Sequence, residues 1–327
     1  MFLARSPLRI SLGGGGTDLP SYYRIKEGFL LCAAINQYVY CNVTKPFEKG
    51  IYLKYSEIEK TNDISNINHK IIKEVLYKYP DISSQIEITT LADIPAGTGL
   101  GSSGSFTCAL LKAIHALKRD YVSNESLAKE ACNIEIERLK QPIGKQDQYA
   151  SALGGVRILN FKSNDEVETR LLNLDQSDLE EFKDHLLLYF TGYTRSAISL
   201  LDDQDKKTRD NEGEMIKNLD HIKQLGIASV ELLEAKDYLQ FGLVMHDHWQ
   251  YKKSRTKGMT NSVVDDLYQY AIDNGAVGGK LVGAGGGGFL LFVTPNKAKL
   301  RKAMKEKSLR EVPFNFDHEG SKLIVSE

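Results

Sequence analysis

Short apolar runs alternate with polar positions through the first third of the chain. "PLRISLGG" and "FLLCAAINQYVYCNVTKPF" read as strands. In the second, Tyr38, Tyr40 and Asn42 alternate with Val39, Cys41 and Val43, the two-residue period of an extended segment with one covered face. "GIYLKYSE" predicts another strand, and "INHKIIKEVLYKY" a helix that ends before Pro80. "SQIEITTLADIP" returns to strand and leads into a loop of glycines and serines, Gly97 to Ser105. Helical spacing follows in "SFTCALLKAIHALKR" and again in "SNESLAKEACNIEIERL", where Ser123 or Asn124 starts the helix. "IGKQDQYASALGGVRILNF" predicts a turn, a short helix and a strand.

The charged stretch "KSNDEVETRLLNLDQSDLEEF" marks a domain transition, placed after residue 180. "HLLLYFTGY" is the next strand, and helical material continues to Tyr270. The polar run "LLDDQDKKTRDNEGEMIKNLDHIK" reads as an exposed helix or loop rather than a binding patch. "GAVGGKLVGAGGGGFLLFV" gives strand, glycine turn, strand, and "NKAKLRKAMKEKSL" a last helix with a solvated lysine face. Together these elements predict an α+β chain in two lobes, residues 1–180 and 181–327, the second with helices on an antiparallel sheet.

The charge balance narrows the partners. Forty-two basic and 43 acidic residues leave a formal charge of −1 on 327 residues. No global basic field is present to draw in nucleic acid or an anionic membrane, so an anionic ligand has to be held locally. Cys32, Cys41, Cys108 and Cys132 are far apart and form no CxxC pair, which predicts buried free thiols. The start, "MFLARSPLRISLGGGG", lacks a signal-peptide pattern and no apolar run reaches 18 residues; the expectation is a cytoplasmic protein.

"GTGLGSSGS" lies where a strand gives way to a helix. A helix start presents unpaired N–H groups and the positive end of the dipole, and Gly97, Gly99, Gly101 and Gly104 let the backbone close around an anion. Ser102, Ser103 and Ser105 add hydroxyls, one of them a candidate for approaching a metal. A tight turn with an N-cap is the plainer reading. The stretch has neither the GxxxxGK[ST] nor a clean GxGxxG pattern. Two more clusters, Gly13 to Gly16 followed by Thr17 and Asp18, and Gly285 to Gly288, each follow a strand. Three such loops predict convergence on one ligand, in an enzyme acting on a small phosphate or a nucleotide.

"PAGTGLGSSGS" resembles the second motif of the sugar and mevalonate kinase superfamily, which includes galactokinase, homoserine kinase, mevalonate kinase and phosphomevalonate kinase. "SPLRISLGGGGTDLP" resembles its first motif and "GGKLVGAGGGGFLLFV" its third, in matching order and separation across nearly the whole chain. The resemblance implies ATP, Mg2+ and transfer of the γ-phosphoryl group. It also implies an N-terminal lobe like ribosomal protein S5, with a left-handed βαβ unit, and a ferredoxin-like C-terminal lobe, with the site between them. "LGGGGTDLP", "IGKQDQYASALGG" and "FTGYTRSA" resemble the heptose 7-phosphate kinase branch, with the fucokinase domain as close kin. That branch phosphorylates the anomeric oxygen of a seven-carbon sugar phosphate on the way to nucleotide-activated heptose. An anomeric kinase for a free sugar such as fucose, and a non-catalytic sensor on the same fold, are the alternatives.

The resemblance also implies roles. Gly97, Gly99, Leu100, Gly101, Ser102, Ser103, Gly104 and Ser105 cradle the ATP phosphates. Ser103, or Ser102 beside it, approaches the metal. Glu135, twelve residues before Asp147, matches the magnesium-binding glutamate, while Glu137 points elsewhere. Asp147 accepts or orients the proton of the attacking hydroxyl, and Arg9 is the catalytic basic residue. Gly14, Gly15, Gly16, Thr17, Asp18, Lys145, Asp147, Arg195, Gly285 and Gly286 face the acceptor, with Asp18 on the sugar hydroxyls. Gly15 and Gly16 depart from the glutamate and histidine of galactokinases, which makes room for a bulkier sugar or for a tighter turn. A sugar phosphate also needs donors for its remote phosphate. Arg138, Lys140, Lys145, Lys252, Lys253 and Arg255 are candidates, and Arg195, just after a strand and Gly192, is the preferred one. The expected partners are ATP and a sugar phosphate, without nucleic acid or membrane; the sequence is compatible with a homodimer.

Overall fold

A computed structural model describes residues 1–192, 198–210 and 213–326. Seven strands come from residues 1–171: β1 (Phe2–Gly13), β2 (Gly28–Thr44), β3 (Gly50–Lys54), β4 (Ile58–Thr61), β5 (Gln85–Ala92), β6 (Val156–Phe161) and β7 (Val167–Leu171). Between them lie α1 (Pro20–Lys26), α2 (Lys70–Lys78), α3 (Ser102–Lys118), α4 (Asn124–Cys132) and α5 (Gln146–Leu153). After α6 (Gln176–Asp184) and β8 (Leu186–Phe190) come α7 (Ile198–Arg209), α8 (Gly213–Glu234), α9 (Tyr238–Arg255) and α10 (Ser262–Asp273). The chain closes with β9 (Gly278–Leu281), β10 (Phe289–Val293), α11 (Lys297–Glu306), β11 (Arg310–Glu311) and β12 (Lys322–Ser326).

The first sheet runs β12-β1-β2-β5-β3-β4, with β6 on β2 and β7 on β6. Its length lets β2 serve two partners on one edge, β6 along Gly28–Ala33 and β5 along Val39–Thr44. β3 and β5 are parallel, and the chain between them passes through β4 and α2, the crossover of the expected βαβ unit. The second sheet, β11-β8-β10-β9, is antiparallel throughout. The two-lobed α+β architecture is therefore the observed one.

The unbroken apolar run in β2 has a direct cause. Leu30 and Cys32 join a core with Val75, Leu110, Ile114 and Ala128 from the helices on one face of the sheet. Leu31, Ala33 and Ile35 join another with Leu8, Ile10, Leu186, Phe241 and Leu291. A strand covered on both faces has no polar alternation. Further along, buried Val39, Cys41 and Val43 alternate with partly exposed Tyr38, Tyr40 and Asn42, as expected. All four cysteines are free and buried, and Ser123 Oγ caps α4 by accepting from Ser126 N at 3.1 Å.

Three details differ from the sequence reading. The division after residue 180 falls inside α6. The last strand, β12, pairs with β1 (Phe2 opposite Ser326) and completes the edge of the first sheet instead of joining the second lobe. The polar run is only partly solvated: Gln204, Asp205 and Thr208 of α7 are buried, because α7 packs against α1 and Thr208 donates back to the Gln204 carbonyl at 2.7 Å. Among the described residues no helix is long and apolar enough to cross a membrane.

Candidate active site

A cavity of about 300 Å³ opens between the lobes, and all three glycine loops contribute to its wall. Gly101 caps α3 in a left-handed conformation, φ 78°, without a side-chain cap, so the first N–H groups of α3 are left for a ligand. The loop is braced from two sides. A Cβ on Gly101 would stand 3.1 Å from Arg9 Cγ and 3.2 Å from Asp147 Cγ, and one on Gly99 would stand 2.8 Å from the Val282 carbonyl oxygen. The second and third motifs thus meet backbone to backbone.

Past α4 the chain widens into a single π-helical turn, Asn133–Arg138, a deviation that marks functional sites in many helices. Glu135 in this turn is fully buried, whereas Glu137 is exposed. The Glu135 carboxylate accepts from the Ser103 hydroxyl, and from Gln148 Nε2 at 2.8 Å. Burial, with a smaller push from Asp147, raises its pKa to about 7 against the lowering effect of those two donors. A buried acid with neutral partners suits a hard cation. Among the described residues no cluster of three or more metal-ligating side chains exists. Magnesium fits this donor set, because it takes one or two protein oxygens and completes its shell from phosphates and water.

Asp147, in the first turn of α5, accepts from Arg9 Nε at 2.7 Å and lies 2.7 Å from Arg9 Nη2. Arg9 is tied in turn to the phosphate loop: Nη1 donates to the Gly99 carbonyl at 2.6 Å and its backbone N to that of Leu100 at 3.0 Å. Asp147 keeps 28% of its side chain exposed, so the carboxylate is fixed yet reachable. Asp18 also lines the cavity, accepting from Gly16 N at 3.0 Å and Gln146 N at 3.3 Å. Burial and then Asp147 raise its pKa. These bonds hold the first glycine loop against the loop that carries Asp147.

Arg9, Gly15, Gly16, Asp18, Gly97, Gly99, Gly101, Ser102, Ser103, Glu135, Asp147 and Gly285 all line the cavity. Others expected there serve the scaffold instead. Leu100 is core. Ser105 Oγ, fully buried, bonds the Pro7 and Gly101 carbonyls and Ser151. Gly104 is where α3 and α5 touch. Thr17 Oγ1 donates to the Gly14 and Phe29 carbonyls at 2.8 and 2.7 Å, pinning the loop to β2, and Gly14 is the close approach that permits it. Gly286 donates its N–H to the Met259 carbonyl. Lys145 turns away to Asp165, 3.4 Å, over the Tyr23 ring. Arg138, Lys140 and Lys253 pair with Glu74, Glu137 and Asp265. Arg195 lies outside the described residues.

From the second lobe the sequence reading named Lys252 and Arg255 among the candidate phosphate donors but missed His248, Lys280 and Gln204. His248, Lys252 and Arg255 recur at four and three residues, one face of α9, and Lys280 sits in β9; all four are buried and line the cavity. Their signals were readable: a helical face of three basic residues, and a lysine inside an apolar strand. Gln204 of α7 joins them and donates to the Gly16 carbonyl at 3.1 Å. The space at Gly16 is taken as well. A Cβ there would stand 2.4 Å from Arg255 Nη1 and 3.0 Å from Gln204 Nε2. Gly16 therefore admits Arg255, whereas a Cβ on Gly15 would meet, among the described residues, only Ser11 Oγ at 3.1 Å.

Comparison with known proteins gives the family. Residues 66–155 match the GHMP kinases N terminal domain and residues 229–307 the GHMP kinases C terminal domain. The chain is 31% identical to the D-glycero-alpha-D-manno-heptose 7-phosphate kinase of Campylobacter jejuni, over 97% of each chain. It is 28% identical to the L-fucokinase/L-fucose-1-P guanylyltransferase of Bacteroides fragilis, covering 92% of this chain and 36% of that one. Among solved structures, a D-glycero-D-manno-heptose 1-phosphate kinase from Bacteroides thetaiotaomicron superposes with a TM-score of 0.81 at 26% identity over 99% of each chain. The chain belongs to the GHMP kinase family.

Proposed function

We propose that this family member transfers the γ-phosphoryl group of ATP to the anomeric C1 hydroxyl of D-glycero-D-manno-heptose 7-phosphate, giving the 1,7-bisphosphate. The chain is an ATP-dependent sugar kinase; the sugar, the position and the residue roles are the proposal. The observation that carries it is the Arg9–Asp147 pair, which stands between the start of α3 and the first glycine loop. The name of the Campylobacter relative supplies the acceptor.

In this reading Asp147 takes the C1 hydroxyl proton as the C1 oxygen forms its bond to the γ-phosphorus. The bond from that phosphorus to the bridging oxygen breaks, and its electron pair leaves with ADP. Arg9 holds Asp147 in place and adds a positive charge beside the transferring group. Asp18 orients the sugar hydroxyls. The α3 start, Gly97, Gly99, Gly101 and Ser102 hold the phosphates. Glu135 and Ser103 would hold Mg2+, which supplies neutralisation of charge on the β- and γ-phosphates.

A free-sugar reading has its own support in the Bacteroides fragilis relative, whose name includes L-fucokinase. Purified protein incubated with ATP, magnesium and a panel of heptose phosphates, hexose phosphates, free heptose and fucose separates the two. Phosphorus NMR of the product locates the new group. The expected result is an anomeric phosphate on heptose 7-phosphate. Equal or better use of free heptose or fucose would overturn the sugar-phosphate assignment.

A further inference from the structure

Lys280 is 1% exposed, in a strand whose other residues are Gly278, Gly279 and Leu281. The residue lines the cavity, and its buried Nζ has no hydrogen-bond partner among the described residues. His248 on the same wall, 2% exposed, has neither ring nitrogen partnered among the described residues. Lys252 and Arg255 are more than nine-tenths buried, and their bonds go to neutral oxygens. Lys252 Nζ donates to the Leu281 carbonyl at 2.9 Å and to that of Gly283. Arg255 donates to Asn218 Oδ1 at 3.2 Å, Gln204 Oε1 at 3.0 Å and the Gly15 carbonyl at 3.3 and 3.4 Å.

Three buried cations without a carboxylate contact among the described residues are unfavourable as they stand, and an ammonium with no partner among those residues most of all. Burial pulls the Lys280 pKa down to about 7, and Arg255 and Arg9 push the same way. The groups facing it are thus Arg9 from β1 and His248, Lys252 and Arg255 from α9; Asp18 acts on Arg255 from the first glycine loop. Such a wall is complete only with an anion against it. The nucleotide's phosphates already have the α3 start and the Ser103–Glu135 pair. Arg255 bonds the Gly15 carbonyl and fills the room above Gly16, on the acceptor side of Arg9 and Asp147.

We propose that Lys280, Arg255 and Lys252 form the subsite for the phosphate that the acceptor sugar already carries, which makes this wall the determinant of sugar phosphate over free sugar. The inference rests on the sugar-phosphate reading above, and it gives the remote phosphate a holder without calling on Arg195. A bound dianion pairs the three cations and keeps Lys280 protonated.

The test compares wild type with Lys280→Met. The ratio of kcat/KM for heptose 7-phosphate to that for free heptose falls about 10- to 100-fold in the variant, the range for one charged hydrogen bond. Most of the change lies in KM for the sugar phosphate, not in KM for ATP. Inorganic phosphate inhibits wild type competitively against the sugar phosphate and not against ATP, and Lys280→Met weakens that inhibition. Because the variant removes an unpaired buried cation, its melting temperature at pH 7 rises. Equal losses on both sugars, or competition of phosphate with ATP alone, would assign the cations to the nucleotide. An unchanged ratio with a lowered melting temperature would make Lys280 a structural residue. Should wild type prefer a different sugar phosphate, the heptose reading fails, while calorimetric titration with inorganic phosphate still decides this subsite: lost binding in Lys280→Met upholds it, and equal binding refutes it.

Discussion

Asp147 and Glu135 are both carboxylates in the same cavity, yet their surroundings give them different tasks. Asp147 is salt-bridged to Arg9 and partly exposed; Glu135 is fully buried with neutral donors. Asp147→Asn keeps the volume but removes the base and its charge. Single-turnover phosphoryl transfer is expected to fall about 10²- to 10⁴-fold while nucleotide binding persists; a near-normal transfer rate would remove Asp147 from catalysis. Glu135→Ala is expected to cut turnover far more than it cuts folding stability, since it deletes an acid that the fold accommodates at a cost. Full turnover at saturating magnesium would overturn the metal role. That both line the cavity was legible in the sequence, Glu135 through its twelve-residue spacing from Asp147 under the family resemblance and Asp147 because it sits in a compact motif. Lys145 was misread for the same reason. Its motif runs beside the site, but its side chain has a nearer carboxylate in Asp165, and chain proximity carries no information about direction.

At the scale of elements, α3 and α5 cross where Gly104 faces Asp147. A Cβ on Gly104 would stand 2.7 Å from Asp147 Cβ and 3.0 Å from two backbone atoms, and backbone does not give way as a flexible side chain does. Gly104→Ala is therefore expected to destabilise by about 1–3 kcal/mol and to lower kcat by displacing Asp147. Urea unfolding and steady-state kinetics measure the two effects. Gly97→Ala is the comparison, because no atom of the described residues lies within 4 Å of its Cβ and its left-handed φ of 78° is the strain that remains. Its stability loss should be the smaller; equal losses would remove helix packing as the reason for Gly104. The glycine loops were legible because glycine density is a local signal. The inward faces of α7 and α9 were not, since a polar run does not reveal which of its residues meet a neighbouring element. Only the spacing of His248, Lys252 and Arg255 pointed inward, and it competes with the ordinary snorkelling of basic side chains.

The whole molecule carries almost no net charge, so recognition of an anion depends on how the fold distributes its cations. The two lobes share a core built from β1, β2, β8, α9 and β10, and β12 returns from the end of the chain to pair with β1. Neither the return of β12 nor the meeting of Arg255 in α9 with the first glycine loop has a local sequence signal, because both are set by long-range packing. That packing carries Lys280 to the cavity as a lone buried ammonium, and a pH dependence follows. Its pKa is about 7 in the folded chain and ordinarily 10.5, so the unfolded chain binds more protons between those values and folding stability rises with pH there. Below pH 7 the residue is charged in both states and its burial counts in full against the fold. The melting-temperature gap between Lys280→Met and wild type should hence be widest below pH 7 and close toward pH 10.5. The facing charges, Arg9 and Arg255, act in the same direction, so neither reverses the sign. Adding heptose 7-phosphate at pH 8 should raise the pKa of Lys280 and draw a proton from solution. Calorimetry in buffers of different ionisation enthalpy would detect uptake approaching one proton in wild type, and less in Lys280→Met. A gap independent of pH, together with equal proton uptake in the two proteins, would mean that Lys280 is paired in solution and that the anion binds elsewhere.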